Sequence, residues 1–201
     1  MITVHHLKQS RSTRIIWLLE ELGIEYTVKS YDRNPQTHLA PESLRKIHPL
    51  GKAPIVEIGE QVLVESAAIM EYVITTFAPD QLRPDSESDA YATYLQWMHF
   101  AEGSAMLPVL LDMFTADLNL NDAPVLYYAK KERDLDFAYI DKHLQRYEFF
   151  AGSQFTAADI MMMTVLLFAT GRGMLEGYDA INEYVQRLSS REAFIVAAGY
   201  E

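Results

Sequence analysis

A small α/β unit followed by a wholly helical one is the architecture this chain predicts, and three observations carry it. The first eighty residues alternate strand-like and helix-like apolar periods. Residues 79–88 hold Pro79, Pro84 and several Asp, Ser and Glu residues, the composition of a connector. Every apolar pattern after them repeats at helical spacing. The order in the first part is β-α-β-α-β-β-α, too small and too mixed for a doubly wound dinucleotide domain. Expected boundaries are therefore 1–78 for the first domain, 79–88 for the linker and 89–201 for the helical domain.

Residues 2–7 are short and rich in β-branched side chains, and read as a strand. Ser10, Arg11, Ser12 and Thr13 then supply cap candidates, Ile15, Ile16, Leu18, Leu19 and Leu22 recur at helical spacing, and Gly23 provides a stop. Residues 26–31 alternate as a second strand. Pro41, Glu42, Ser43 and Leu44 read as a helix start whose pattern ends before His48 and Pro49. Two strand-like runs, 55–58 and 61–64, flank Gly59-Glu60, a two-residue hairpin signal, and Ser66 is expected to cap an apolar helix over 67–77. Beyond the linker, one long helix is expected from 89 to about 117, a second opens at Pro124, and a third, capped by Thr156, is apolar nearly all round. A shorter helix covers 180–188.

The chain has 201 residues, 49% of them hydrophobic, which suffices for a core and excludes disorder and collagen-like structure. It has no cysteine. Disulfides, thiolate metal sites, iron–sulfur clusters and a protein thiol nucleophile are all excluded, so any sulfur chemistry must use a thiol brought by a ligand. No apolar run approaches the ~18 residues of a membrane span, and Met1 to Lys8 lacks the order of a signal peptide, so a soluble cytoplasmic protein is expected. The formal net charge of −11 lacks the basic footprint of a nucleic-acid binder. Through Val56, however, eight basic residues face five acidic ones, so this stretch carries +3 and the remainder −14. A small anionic ligand is drawn to the first quarter.

Three motifs in the first domain bear on chemistry. Ser10-Arg11-Ser12-Thr13-Arg14 follows the first strand, where hydroxyls and unpaired N–H groups at a helix start bind anions; a plain cap is the alternative. Lys52-Ala53-Pro54 precedes the third strand, and proline is permitted at a strand's first position. Glu65 and Ser66 put a carboxylate and a hydroxyl at the next helix start, either as cap and solvated charge or as receptors for an amino-acid headgroup.

The order Ser10-x-x-x-Arg14, Gly51-Lys52-Ala53-Pro54, Glu65-Ser66-x-Ala68-Ile69 and, in the helical part, Phe155-Thr156-Ala157-Ala158-Asp159-Ile160 resembles cytosolic glutathione S-transferases over nearly the whole chain. The stretch around Trp17-Leu18-Leu19-Glu20-Glu21 is most similar to the bacterial and fungal serine-type members. The resemblance implies a thioredoxin-like N-terminal domain that binds glutathione, and an all-helical domain that helps bind a small hydrophobic electrophile.

Carried over by that resemblance, Ser10 meets the glutathione sulfur, with Ser12 a second candidate in the same loop and Arg11 adding positive field. The Ala53 backbone pairs with the cysteinyl part, Pro54 is the cis proline, and Lys52 meets the glycyl carboxylate, with His38 near where relatives place another base for it. Glu65 and Ser66 take the γ-glutamyl end. Met106, Met113 and Phe114 are expected to line the electrophile pocket, and Glu102 to make a contact across a homodimer to the glutathione of the partner subunit. Glutathione is thus the co-substrate of a detoxifying transferase; glutathione-dependent peroxide reduction and a non-catalytic binding module of the same fold are the alternatives.

Other features read as structure. His5 and His6 are neighbours on a strand, point to opposite faces and cannot share a metal. His99 and Glu102 have ligand spacing without a second pair, so no metal is expected. The triplet Met161–Met162–Met163 reads as core filling, and Thr156 with Asp159 as a capping box.

Overall fold

The computed structural model describes residues 1–116, 118 and 123–201, and they form two compact units. The first comprises 1–82 and 189–201, the second 83–188.

In the first unit, β1 (Ile2–Leu7) leads through α1 (Thr13–Leu22) to β2 (Tyr26–Tyr31), and β3 (Ile55–Ile58) and β4 (Gln61–Val64) form a hairpin before α2 (Ser66–Phe77). The sheet order is β2-β1-β3-β4. β1 pairs in parallel with β2, as a strand–helix–strand crossover requires, and antiparallel with β3, placing His5 opposite Ile55. Gly59 turns the hairpin at φ 61° and Gly23 ends α1 at φ 62°, a left-handed conformation that glycine adopts without a Cβ penalty.

β1 lies between β2 and β3 and is buried on both faces, so its polar residues His5 and His6 are as buried as Val4. On one face Leu7 packs with Leu44 and Ile55. α1 buries Ile15, Ile16, Trp17, Leu18 and Leu19 together with Arg14, and α2 buries Ile69, Met70, Val73 and Ile74.

Three expectations change here. The helix predicted after Pro41 is a single 3-10 turn, Glu42–Lys46. Ser66 does not cap α2 but is its first residue; Glu65 precedes it at φ 71°, and the Glu65 carbonyl accepts the Ile69 N–H at 2.9 Å. Residues 189–201, expected in the helical domain, belong to the first unit and carry an unforeseen helix, α8 (Glu192–Ala198). It is held on α1 by the Trp17 and Phe194 rings, 5.0 Å apart, and by Arg191, whose Nε and Nη2 donate to the two Glu21 carboxylate oxygens at 2.6 and 2.7 Å.

The second unit contains α3 (Asp89–Phe100), α4 (Met106–Thr115), α5 (Pro124–Leu144), α6 (Ala157–Thr170) and α7 (Asp179–Ser189), the last crossing into the first unit at Ser189. The single helix expected from 89 is interrupted by a π-helical turn, Ala101–Ala105, between α3 and α4. Pro108 accounts for it: proline lacks an N–H and its ring clashes with the carbonyl four residues back, at Ser104, and a widened turn relieves both. The expected end near 117 lies outside the described residues. α6 is buried nearly all round, with Met161, Met162 and Met163 fully enclosed. Among the described residues no helix is long and apolar enough to cross a membrane.

Candidate functional site

The loop between β1 and α1 presents two serines of different standing. Ser12 is fully buried and Ser10 is half-buried. Ser12 Oγ accepts the Leu7 N–H at 3.2 Å and lies 2.9 Å from His6 Nδ1 and 2.8 Å from Ser10 Oγ. The Ser12 N–H in turn donates to Ser10 Oγ at 3.2 Å.

The proton positions follow from the far end of this chain. His6 Nε2 lies 3.0 Å from the Tyr200 carbonyl oxygen, which can only accept, so Nε2 carries a proton. Burial holds the His6 imidazole below its ordinary pKa, so at neutral pH the ring is uncharged and Nδ1 is a bare acceptor. Ser12 O–H therefore donates to Nδ1, the nearer of its two acceptors, the Leu7 carbonyl being 3.4 Å away. With that single proton committed, the bond between the serines runs from Ser10 O–H to Ser12 Oγ. Ser10 is the hydroxyl left able to turn towards a ligand.

Arg33 organises the surrounding loops. Its guanidinium donates to the carbonyls of Lys8 at 3.1 Å, Gln9 at 2.6 Å and His38 at 3.0 Å, tying the loop before Ser10 to the one that carries His38. Gln9, His38 and Glu65 all have positive φ, at 55°, 57° and 71°. Such conformations are uncommon outside glycine, cost of order 1–3 kcal/mol each, and cluster at functional sites.

The remaining expected residues divide by exposure. His38, Lys52 and Glu65 are exposed, Arg11 and Ala53 half-buried, and Pro54 and Ser66 buried. The Ala53–Pro54 peptide is cis. Ser66 opens α2, where the first N–H groups have no partner within the helix. In the second unit Met106 is enclosed in the core, Met113 is half-buried, Phe114 is 66% exposed and Glu102 lies exposed on the π turn.

Sequence reasoning missed His6, Arg33 and the Tyr200 carbonyl. On the strand His6 faces away from His5, which bonds the Tyr31 hydroxyl at 2.8 Å and Glu57 at 3.0 Å. The opposite face is where Ser12 waits. A histidine on a central strand six positions before a serine is the one local signal that was available.

The family model described as "Glutathione S-transferase, N-terminal domain" matches residues 1–75, and that described as "Glutathione S-transferase, C-terminal domain" matches residues 67–192. The chain is 40% identical to Glutathione S-transferase 3 of Schizosaccharomyces pombe, over 98% of this chain and 87% of that protein. It is 28% identical to Glutathione S-transferase 1 of Saccharomyces cerevisiae, over 96% of this chain and 92% of that protein. A crystal structure of a glutathione S-transferase from Actinobacillus pleuropneumoniae superposes with a TM-score of 0.91 at 33% identity, covering 99% of this chain and 92% of that one.

Proposed function

The chain belongs to the glutathione S-transferase family and is a glutathione transferase, and we propose that Ser10 is the hydroxyl that holds the glutathione sulfur as a thiolate. The observation that carries this reading is the polarity of the serine pair: Ser12 is buried with its proton committed to His6, and Ser10 is half-buried with its proton on Ser12 Oγ, from which it can turn to a ligand.

The energetics are sufficient. A thiol of pKa about 8.5 is only about 3% ionised at neutral pH, yet the thiolate is the nucleophile. Lowering that pKa by roughly two units takes about 2.7 kcal/mol. A hydrogen bond to a charged group contributes about 1.5–3 kcal/mol, and the N-terminus of α1 about 0.3–1 more. With the thiolate formed, Ser10 is protonated and donates to it; it is not a nucleophile.

The rest of the tripeptide follows from charge and position. Ser66 and the unpaired N–H groups of α2 suit the γ-glutamyl carboxylate, and Glu65 its ammonium. Lys52 suits the glycyl carboxylate with His38 near it, the backbone at Ala53 beside Pro54 suits the cysteinyl amide, and Arg11 adds field at the sulfur. Met113 and Phe114 offer apolar surface to a hydrophobic electrophile, whereas Met106 is enclosed in the core. A cytoplasmic homodimer with Glu102 at the contact completes the reading.

Retention on immobilised glutathione together with turnover of a chromogenic aryl halide tests the activity. For the site, Ser10→Ala is expected to raise the pH at which bound glutathione ionises by one to two pH units and to cut turnover about 10–100-fold, with the affinity for glutathione nearly unchanged. If Ser12→Ala does this and Ser10→Ala does not, the assignment is wrong.

A further inference from the structure

We propose that His6 is the base that takes up the glutathione thiol proton, delivered to it through Ser10 and Ser12. The inference rests on the reading that Ser10 meets the sulfur, and adds where the proton goes.

The hydrogen bonds already run in the required direction. Ser10 O–H donates to Ser12 Oγ at 2.8 Å, Ser12 O–H donates to His6 Nδ1 at 2.9 Å, and Nε2–H is anchored on the Tyr200 carbonyl at 3.0 Å. A thiol arriving at Ser10 donates its S–H to Ser10 Oγ and becomes the first link. Each proton then moves one place. The S–H bond breaks with its electron pair left on sulfur, and its proton forms a new O–H on Ser10. The former Ser10 proton passes to Ser12, and the former Ser12 proton forms N–H at Nδ1. Thiolate and imidazolium are the only products, and no oxidant or further reactant is needed. Once the sulfur is bonded to the electrophile, loss of the Nδ1 proton to solvent and rotation of the Ser10 and Ser12 hydroxyls back to their starting acceptors reset the chain.

Both arrangements leave every group satisfied. Before transfer Ser12 Oγ accepts from the Leu7 N–H and from Ser10 and donates to His6; afterwards it accepts from the Leu7 N–H and from His6 and donates to Ser10. Ser10 Oγ accepts the Ser12 N–H throughout; it first accepts from the thiol and donates to Ser12, then accepts from Ser12 and donates to the thiolate. Buried polar groups with two complete bonding patterns exchange protons without an unsatisfied intermediate. A serine kept only as a helix cap needs no base behind it.

The surroundings of His6 set the balance. Burial disfavours the imidazolium, the Tyr200 carbonyl and the Glu201 carboxylate favour it, and the Lys8 ammonium disfavours it. The Tyr200 ring stands edge-on at 6.0 Å. Glu201 is held on the same loop, accepting from the Gln9 N–H and the Thr13 hydroxyl. The thiolate formed at the far end of the chain adds a further favourable charge.

The test is a proton count. Glutathione is mixed with the protein near pH 7 in weak buffer with a pH indicator, thiolate is followed by its ultraviolet absorbance, and S-methylglutathione, which has no thiol, supplies the blank. The wild type is expected to form thiolate while releasing far less than one proton per thiolate. His6→Gln keeps an acceptor and a donor but no base, and Ser12→Ala cuts the chain without touching His6. Both are expected either to release close to one proton per thiolate or to form little thiolate. Release of a full proton by the wild type, or its retention in both variants with thiolate formed, overturns the relay. Absence of thiolate in the wild type sinks the Ser10 reading as well, so the two failures are told apart.

Discussion

Asp159 is fully buried and receives four hydrogen bonds. The Phe150 N–H and the Tyr184 hydroxyl donate to Oδ1 at 2.9 and 2.6 Å, and the Thr156 N–H and hydroxyl to Oδ2 at 2.8 and 3.0 Å. Burial pushes this carboxyl above its ordinary range, and the four donors pull against that shift. One side chain thereby closes the start of α6, pins the segment at Phe150 and fixes α7 through Tyr184. Asp159→Ala strands several buried donors at about 1–3 kcal/mol each, so a loss of about 3–5 kcal/mol is expected in urea unfolding. A loss under 1 kcal/mol would mean that the box is decoration. The pairing of Thr156 with Asp159 was readable because a capping box is local. The Tyr184 bond was not, since it joins residues 25 apart.

At the scale of the element, α5 carries an acid against its own interest. Burial and the like charge of Glu132, one turn earlier, push Asp136 up to about 6. An acid whose folded value lies above its unfolded one keeps its proton longer in the native chain, so stability declines as pH rises from roughly 4 to about 6. Asp136→Asn is expected to be more stable than the wild type by about 1 kcal/mol at pH 7.5, a figure discounted for solvent screening, and to show no gain near pH 4. Unfolding curves at both pH values check this; an equal gain at both would place the effect outside titration. Elements set by local pattern, such as β1, β2, the Gly23 stop and the Gly59 hairpin, lie where the sequence puts them. The π turn does not announce itself, because Pro108 acts on a carbonyl four residues away inside an otherwise good helical pattern. The serine loop was legible from its position after β1. Which serine has its proton committed was not, because that depends on a carbonyl 194 positions beyond His6.

For the whole molecule, the decisive fact is that the first unit is made of two separated pieces, 1–82 and 189–201. Trp17 is 2% exposed, and its cover includes Phe194, while Glu21 is clamped by Arg191. A chain ending at Leu188 is expected to lose amide-exchange protection in α1 by at least about tenfold, as the apolar face around Trp17 meets water. Unchanged protection in α1 would show that α8 is an appendage. The charge division has a consequence at this scale too: with +3 through Val56 and −14 beyond it, the field of the chain favours an anionic tripeptide at its basic quarter.

That two-piece unit also imposes an order on synthesis. As the chain leaves the ribosome, residues 83–188 emerge in full before the first unit has its last helix, so the later unit can finish folding while the earlier one waits. His6 and Ser12 are made well before Tyr200, 194 positions beyond His6, whose carbonyl fixes the His6 tautomer. A nascent chain stalled short of residue 200 therefore carries both serines without the Tyr200 carbonyl that sets their proton direction.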